Sequence, residues 1–126
     1  MNILAFDCRL GLADVRVLTM KQSKIIEGPF TDSLAHCTDG RKLILITDAN
    51  VNDLYGELLP PGNRIILEPG ERSKTLNAVQ EIYRKFCEFG IDRHSLVLGV
   101  GGGVVCDITG FTASTYMRGV RSEERR

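Results

Sequence analysis

The sequence predicts an α/β fold: an open, mostly parallel sheet with helices on both faces and a β-rich N-terminal edge. Unbroken apolar runs at residues 43–46 and 96–100 are typical of strands buried on both faces. Other segments carry apolar residues at three- and four-residue steps, as amphipathic helices do. Strands and helices therefore alternate along the chain, which favours parallel strands joined by right-handed crossovers.

The composition suits one domain of 126 residues with a hydrophobic core. The 16 basic and 16 acidic residues balance, which argues against a nucleic-acid or membrane surface. No apolar run is long enough to span a bilayer, and the N-terminus lacks a signal pattern, so we expect a cytoplasmic protein. We divide it into a β-rich lead-in (1–39), a core (40–120) and a charged tail (121–126).

The cysteines and histidines do not form a metal-binding pattern. None of the cysteines forms a C-x-x-C pair, and no histidine lies at ligand spacing from another. We therefore expect buried free thiols at Cys8, Cys37, Cys87 and Cys106. His36 and His94 are isolated and are expected at the surface or in turns.

The elements are predicted in order from periodicity and turn residues. Short strands at 15–19 and 24–29 could pair as an edge ribbon, and a helix at 31–37 is capped by Thr31 or Asp32. The core then runs through strand 42–48, helix 51–58, strand 64–69, helix 76–89, strand 96–100 and helix 104–117. Ser73 or Thr75 caps the fourth of these elements, and Gly90 ends it.

Polar residues follow each core strand, and parallel strands bring their carboxyl ends to one edge of the sheet, where ligands bind. Asp48 follows the first core strand and either accepts hydrogen bonds from a ribose diol or, like Asn50, caps the next helix. Glu71 and Lys74 follow the second strand and, three residues apart, form either a solvated pair or part of a site.

Three glycines, Gly101 to Gly103, separate the last core strand from its helix. Glycine lets the backbone approach a phosphate, and a helix N-terminus offers unpaired N–H groups with a partial positive charge. The pattern is neither G-x-G-x-x-G nor a Walker A loop, so a tight strand-to-helix turn is the alternative. Asp107 lies one helical turn further on, near the ligand edge of the sheet.

The segment Gly101-Gly-Gly-Val-Val-Cys-Asp107 and the ending Thr115-Tyr-Met-Arg-Gly119 resemble 3-dehydroquinate synthase. Thr47-Asp-Ala-Asn50, Pro69-Gly-Glu-Arg-Ser-Lys-Thr75 and Gly90-Ile-Asp-Arg93 also occur in that family's order, so the resemblance runs from about residue 40 to 120. It implies a Rossmann-like NAD-binding domain. Related sugar-phosphate cyclases and glycerol dehydrogenases share the triple glycine and the aspartate, but their continuations differ.

The resemblance implies a role for each matching residue. Asp48 and Asn50 would lie at the adenosine end of NAD, with Glu71 and Lys74 on ribose and phosphate. The cofactor-binding glycine segment is Gly101, Gly102, Gly103 and Val104, of which the last three would line the pyrophosphate. Asp107 would lie near the nicotinamide, and Arg118 would contact the substrate.

The family reaction would convert a seven-carbon keto-sugar phosphate of the shikimate pathway to 3-dehydroquinate with loss of phosphate. NAD and a divalent metal, usually zinc, serve that phosphate lyase, and the family dimerises partly through this domain. The metal ligands belong to a second domain, so we expect this chain alone to be inactive and to lack a metal site. A non-catalytic NAD-binding module and a fragment of a related cyclase or glycerol dehydrogenase are the alternatives.

Overall fold

The computed structural model describes residues 3–5, 16–18 and 40–125. Two antiparallel strands, β1 (Ile3–Ala5) and β2 (Arg16–Leu18), form a separate ribbon. The main sheet contains β3 (Leu43–Asp48), β4 (Asn63–Leu67), β5 (Leu96–Val100) and β6 (Arg121–Arg125). Its strands are parallel and lie in the order β4-β3-β5-β6.

Three helices connect these strands. They are α1 (Ala49–Tyr55), α2 (Leu76–Glu88) and α3 (Gly103–Thr115), with 3-10 turns at Glu71–Ser73 and Tyr116–Arg118. Alternate residues of β3, including Ile44 and Ile46, join one buried cluster with Phe86 of α2 and Ile108 of α3. Right-handed crossovers place α1, which packs on β3 and β4, on the opposite face. The predicted open parallel sheet with helices on both faces is confirmed.

The buried stripes of α2 and α3 agree with the expected ones except at a few positions. Periodicity placed Leu76 of α2 and Phe111 of α3 in the apolar stripes, but they are 72% and 47% exposed. In α3 Thr112 is buried as predicted, and the small polar residue Thr109, which lay outside the predicted stripe, is buried as well. The reason is close packing: α3 lies so near β5 that small side chains occupy its inner face.

Two expectations at the ends of the chain need correction. Residues 121–126 were expected to form a charged tail, but Arg121–Arg125 pairs with β5 as a parallel strand. The described partner of β2 is β1, for which no strand was predicted, and the strand predicted at 24–29 lies outside the described residues. So does the helix predicted at 31–37. Backbone pairing with a buried neighbour thus outweighs the charged composition of β6.

Lys42 closes the C-terminal end of α2. Its ammonium group donates hydrogen bonds to the carbonyls of Phe89 (2.8 Å) and Gly90 (3.1 Å), which satisfies groups left unpaired by the helix. We expect Lys42→Met to lower the free energy of unfolding by about 1 kcal/mol, measured by urea denaturation. Lys85→Met removes a charge from the last turn of the same helix. It should lower the free energy of unfolding by a smaller amount than Lys42→Met does. Equal losses would contradict this capping role.

Asp92 organises the turn before β5. Its carboxylate accepts hydrogen bonds from the Ser95 hydroxyl and from the backbone N–H groups of His94 and Ser95. The Ser95 hydroxyl first, and the His94 N–H second, hold the pKa of Asp92 below its ordinary value of 3.8.

A lowered pKa in the folded state means that the carboxylate stabilises the fold above pH 3.8 and that this contribution is lost as the pH falls below it. We expect Asp92→Asn to be less stable than the natural chain at neutral pH and the difference to shrink under acid. Urea denaturation across this range measures it, with Asp53→Asn on the exposed side of α1 as the control. A difference that stays constant with pH would contradict the prediction.

Candidate functional site

A crevice opens where β3 and β5 end side by side. The chain leaves β3 towards β4 on one side and leaves β5 towards β6 on the other, so this is the switch point of the sheet, the usual ligand position in such folds. Thr47 and Val100 are register partners at this edge. The buried Thr47 hydroxyl donates a 2.7 Å hydrogen bond to the Val100 carbonyl and ties the two strand ends together.

Asp48 lies at the mouth of the crevice and has two roles available. Its Oδ1 accepts a 2.9 Å hydrogen bond from the Val51 N–H and caps α1, which confirms the capping alternative for Asp48 rather than for Asn50. A Cβ built on Gly101 would lie 3.2 Å from Oδ2 of the same carboxylate. The second oxygen therefore faces the glycine turn, and Asn50 is exposed on α1 at the same edge.

Gly101 and Gly102 of the turn are glycine for different physical reasons. A Cβ on Gly101 would lie 2.6 Å from a methyl group of Val105, so packing excludes any side chain there. Among residues 3–5, 16–18 and 40–125, nothing lies within 4 Å of a Cβ built on Gly102, and the φ of −72° of Gly102 suits any residue. Neither strain nor packing accounts for Gly102. It leaves an open cradle at the start of α3, whose first turn receives no side-chain cap.

Lys74 and Asp107 come together across the site. The Lys74 ammonium lies 2.7 Å from Oδ2 of Asp107, and each side chain is 48% exposed. The sequence interpretation paired Lys74 with Glu71 and did not predict this ion pair with Asp107. It borders a cleft of about 460 Å³ whose lining comes from the start of α2 and from one face of α3: Lys74, Thr75, Leu76, Val79, Asp107, Ile108 and Phe111.

The described segments from β3 to α3 therefore bring most of the predicted cofactor-binding residues to one edge of the sheet. Glu71 lies exposed in the turn that follows β4, and Thr75 rather than Ser73 caps α2. The sequence interpretation missed the hydroxyl of Thr47. A polar residue inside an otherwise apolar strand, one position before its end, was the available signal.

Comparison with known proteins identifies the family of this chain. The family model described as 3-dehydroquinate synthase N-terminal matches residues 64–124. A 3-dehydroquinate synthase of Ruminiclostridium cellulolyticum is 51% identical over 89 residues, 64% of this chain and 25% of the relative. One from Leptospira interrogans is 38% identical over 97 residues, 72% of this chain and 27% of the relative. The chain belongs to the 3-dehydroquinate synthase family. It spans about a quarter of the length of the relatives it matches.

Solved structures related to the 3-dehydroquinate synthase family share the fold. A 2-epi-5-epi-valiolone synthase from Streptomyces hygroscopicus, with NAD+ and Zn2+ bound, is 36% identical with a TM-score of 0.57 over 68% of this chain and 26% of that chain. A 2-deoxy-scyllo-inosose synthase, complexed with carbaglucose-6-phosphate, NAD+ and Co2+, is 27% identical with a TM-score of 0.56 over 65% of this chain and 24% of that chain. The Rossmann-like architecture is thereby confirmed.

Cys106 occupies a position where the resemblance to 3-dehydroquinate synthases leads one to expect glycine. The thiol is 3% exposed, and Sγ lies 3.7 Å from the carbonyl of Gly101. The Cys106 N–H donates to the carbonyl of Gly102 in the first turn of α3, so the side chain fits without disturbing the helix. Cys106 is buried as predicted, whereas Cys87 is exposed, which corrects the expectation for that thiol. Cys8 and Cys37 lie outside the described residues.

Arg118 does not lie at the crevice within one chain. It follows the C-terminal end of α3, so the thirteen residues of that helix, roughly 20 Å, separate it from Gly102. Arg118 is exposed, and both it and Met117 have positive φ values, 66° and 49°. Its role in substrate binding stays a prediction.

Tyr116 anchors the strained segment that carries Arg118. Its ring stacks on Tyr83 and meets Phe86 edge to face, with centroid distances of 5.7 and 5.1 Å. Burial first, and a hydrogen bond with the Cys87 thiol second, raise the pKa of Tyr116 to about 12. The phenol therefore remains protonated and uncharged at neutral pH.

Two further observations concern the described residues only. Within residues 3–5, 16–18 and 40–125 no group of three histidine, cysteine or acidic side chains is arranged to hold a metal ion. None of the helices in this part of the chain has the length and apolar character needed to cross a bilayer. His94 is exposed, as predicted, and His36 lies outside the described residues.

Proposed function

We propose that this chain forms the NAD-binding part of a 3-dehydroquinate synthase. Such an enzyme converts 3-deoxy-arabino-heptulosonate 7-phosphate to 3-dehydroquinate with loss of phosphate in the shikimate pathway, as a phosphate lyase. Support comes from the family membership and from two related structures with NAD+ bound. The resemblance noted in the sequence favours this substrate over those of the related cyclases.

One observation carries the proposal: the open cradle at Gly102. In the part of the chain that the structure describes, the first N–H groups of α3 receive no side-chain cap, and a Cβ built on Gly102 meets nothing within 4 Å. A pyrophosphate fits such a helix N-terminus because it accepts hydrogen bonds from the N–H groups and complements the helix dipole. Gly103 and Val104 would donate beside Gly102.

The remaining residues fit the two ends of the dinucleotide. Oδ2 of Asp48 would accept hydrogen bonds from the adenosine ribose diol, with Asn50 beside it. Glu71 and Lys74 would contact ribose and phosphate, and Asp107 would lie near the nicotinamide end. The ion pair between Lys74 and Asp107 borders the cleft. When bound, NAD would take a hydride from the carbon that bears a substrate hydroxyl as that hydroxyl loses its proton and becomes a ketone, and would later return the hydride. The chain's own residues hold and orient the dinucleotide.

The complete reaction needs more than these residues. Two related structures carry Zn2+ or Co2+ beside NAD+, and we propose that zinc or another divalent metal serves this enzyme through residues outside the matched segment. The 126-residue chain alone would then bind NAD without releasing phosphate from the sugar-phosphate substrate. Arg118 would contact the substrate in the complete enzyme, and a homodimer would contain a second copy of this residue.

Calorimetry with NAD and NADP tests the proposed role of Asp48. We expect the natural chain to bind NAD more tightly than NADP, because a carboxylate repels a 2′-phosphate. Asp48→Asn keeps an oxygen that caps α1 and removes the charge, so the preference for NAD should fall about tenfold.

The control is Asp53→Asn, which neutralises an exposed carboxylate on the same helix and should leave both affinities unchanged. Absence of binding heat with millimolar NAD would overturn the proposed function. Binding with no change of preference in Asp48→Asn would overturn only the role of this carboxylate.

A further inference from the structure

We propose that Thr47 is a positioning residue: its hydroxyl fixes the Val100–Gly101 peptide and thereby sets the affinity of the crevice for NAD. The inference rests on the proposed function, since it concerns the same site. It assigns the role to a single buried hydrogen bond, from the Thr47 hydroxyl to the Val100 carbonyl, at 2.7 Å. Thr47 itself is fully buried and would not touch the cofactor.

The position of this bond makes it a determinant of the turn. Val100 is the last residue of β5, and its register pairing with β3 ends at Thr47. The Thr47 hydroxyl adds a side-chain hydrogen bond to the backbone pairing at this level. It therefore acts on the last peptide group before the glycine turn.

Peptide geometry carries the effect to Gly101. A trans peptide is planar, so its carbonyl and the following N–H point in opposite directions, and no cis peptide bond occurs in the described residues. Fixing the Val100 carbonyl towards Thr47 turns the Gly101 N–H away from it. The plane of this peptide also sets where Gly102 and the start of α3 lie.

Two adjacent residues of β3, Thr47 and Asp48, lie beside this peptide. Successive side chains of a strand point to opposite faces, so Thr47 and Asp48 leave β3 in opposite directions. Thr47 reaches the carbonyl of Val100, while Oδ2 of Asp48 faces Gly101 at 3.2 Å from its Cβ position. Rotation of the peptide would alter the spacing between the Asp48 carboxylate and the cradle at Gly102, and a dinucleotide must span that spacing.

The test compares two threonine-to-valine changes. Thr47→Val keeps the shape and branching of the side chain and removes the donor, and Thr47→Ser restores the donor. Thr112→Val is the matched control, because Thr112 is equally buried and its hydroxyl donates within α3, to the carbonyl of Ile108 at 2.8 Å. Circular dichroism first establishes that each variant is folded, and calorimetry then measures its affinity for NAD. 15N NMR of the ligand-free protein records the signal of the Gly101 amide.

We expect Thr47→Val to weaken NAD binding about tenfold and to move the Gly101 amide signal. Thr47→Ser should resemble the natural chain in NAD affinity and amide signal. Thr112→Val should change neither of them. Unaltered affinity and amide signal in folded Thr47→Val would overturn the inference. If the natural chain binds no NAD, the proposed function fails, and the amide signal alone decides whether Thr47 sets the turn. If Thr47→Val does not fold, Thr47→Cys, with its weaker donor, takes its place with the same expected direction.

Discussion

Replacing Gly102 with aspartate is expected to abolish NAD binding while the fold becomes slightly more stable. Gly102 is the N-cap of α3, with extended backbone that any residue adopts and open space where a side chain would go. An aspartate there would accept hydrogen bonds from the first N–H groups of α3 and complement its dipole, a gain of a few tenths to about 1 kcal/mol. The same carboxylate would occupy the pyrophosphate position and repel it.

Opposite changes in stability and binding distinguish a ligand cradle from a structural turn. We expect a loss of affinity of at least about a hundredfold, equal to about 2.7 kcal/mol, measured by calorimetry, and an unchanged or higher thermal midpoint. Gly102→Asn is the matched variant, since it caps without charge and separates occupancy from repulsion. A stabilised Gly102→Asp variant that still binds NAD with natural affinity would show that the dinucleotide does not use this helix end.

The sheet was predictable because its strands carry an unambiguous signal. Buried parallel strands read as continuous apolar runs, and β5 lies at the predicted residues 96–100. Glycines and an acidic residue after such strands must lie at one edge once the strands are parallel, so the meeting of Asp48 with the glycine turn followed from topology.

Contacts that depend on helix placement were not predictable in this way. The ion pair between Lys74 and Asp107 joins residues far apart in sequence, and local spacing favoured Glu71 as the partner of Lys74. The composition of β6 gives no strand signal, because its formation depends on pairing with β5 rather than on its own residues. The hydroxyl of Thr47 was missed because its acceptor lies on another strand.

Gly99 explains why periodicity predicted only part of the inner face of α3. It lies in the middle of β5, and a Cβ built on it would lie 2.6 Å from Oγ1 and 2.9 Å from Cβ of Thr109. The helix therefore rests directly on the strand backbone at this point. A close approach of this kind selects small side chains on α3 and moves larger ones, such as Phe111, outward.

We expect Gly99→Ala to lower the free energy of unfolding by about 1–3 kcal/mol, since the added methyl group overpacks a rigid contact. Thr109→Ala should relieve part of this loss, because it removes Oγ1 and Cγ2 of Thr109, although the Cβ atom at 2.9 Å remains. Thr109 is fully buried, and among the described residues no hydrogen-bond partner is found for its hydroxyl, so its removal alone sacrifices little.

The double variant makes the prediction specific to this contact. Urea denaturation of both single variants and of the Gly99→Ala/Thr109→Ala pair gives the coupling energy, expected at about 1–2 kcal/mol in favour of the pair. Thr112→Ala in the Gly99→Ala background is the control, since Thr112 is buried one turn further along α3 and does not meet the added methyl group. Additive losses in the Gly99–Thr109 cycle would mean that α3 shifts away from β5 as a unit rather than meeting it at one glycine.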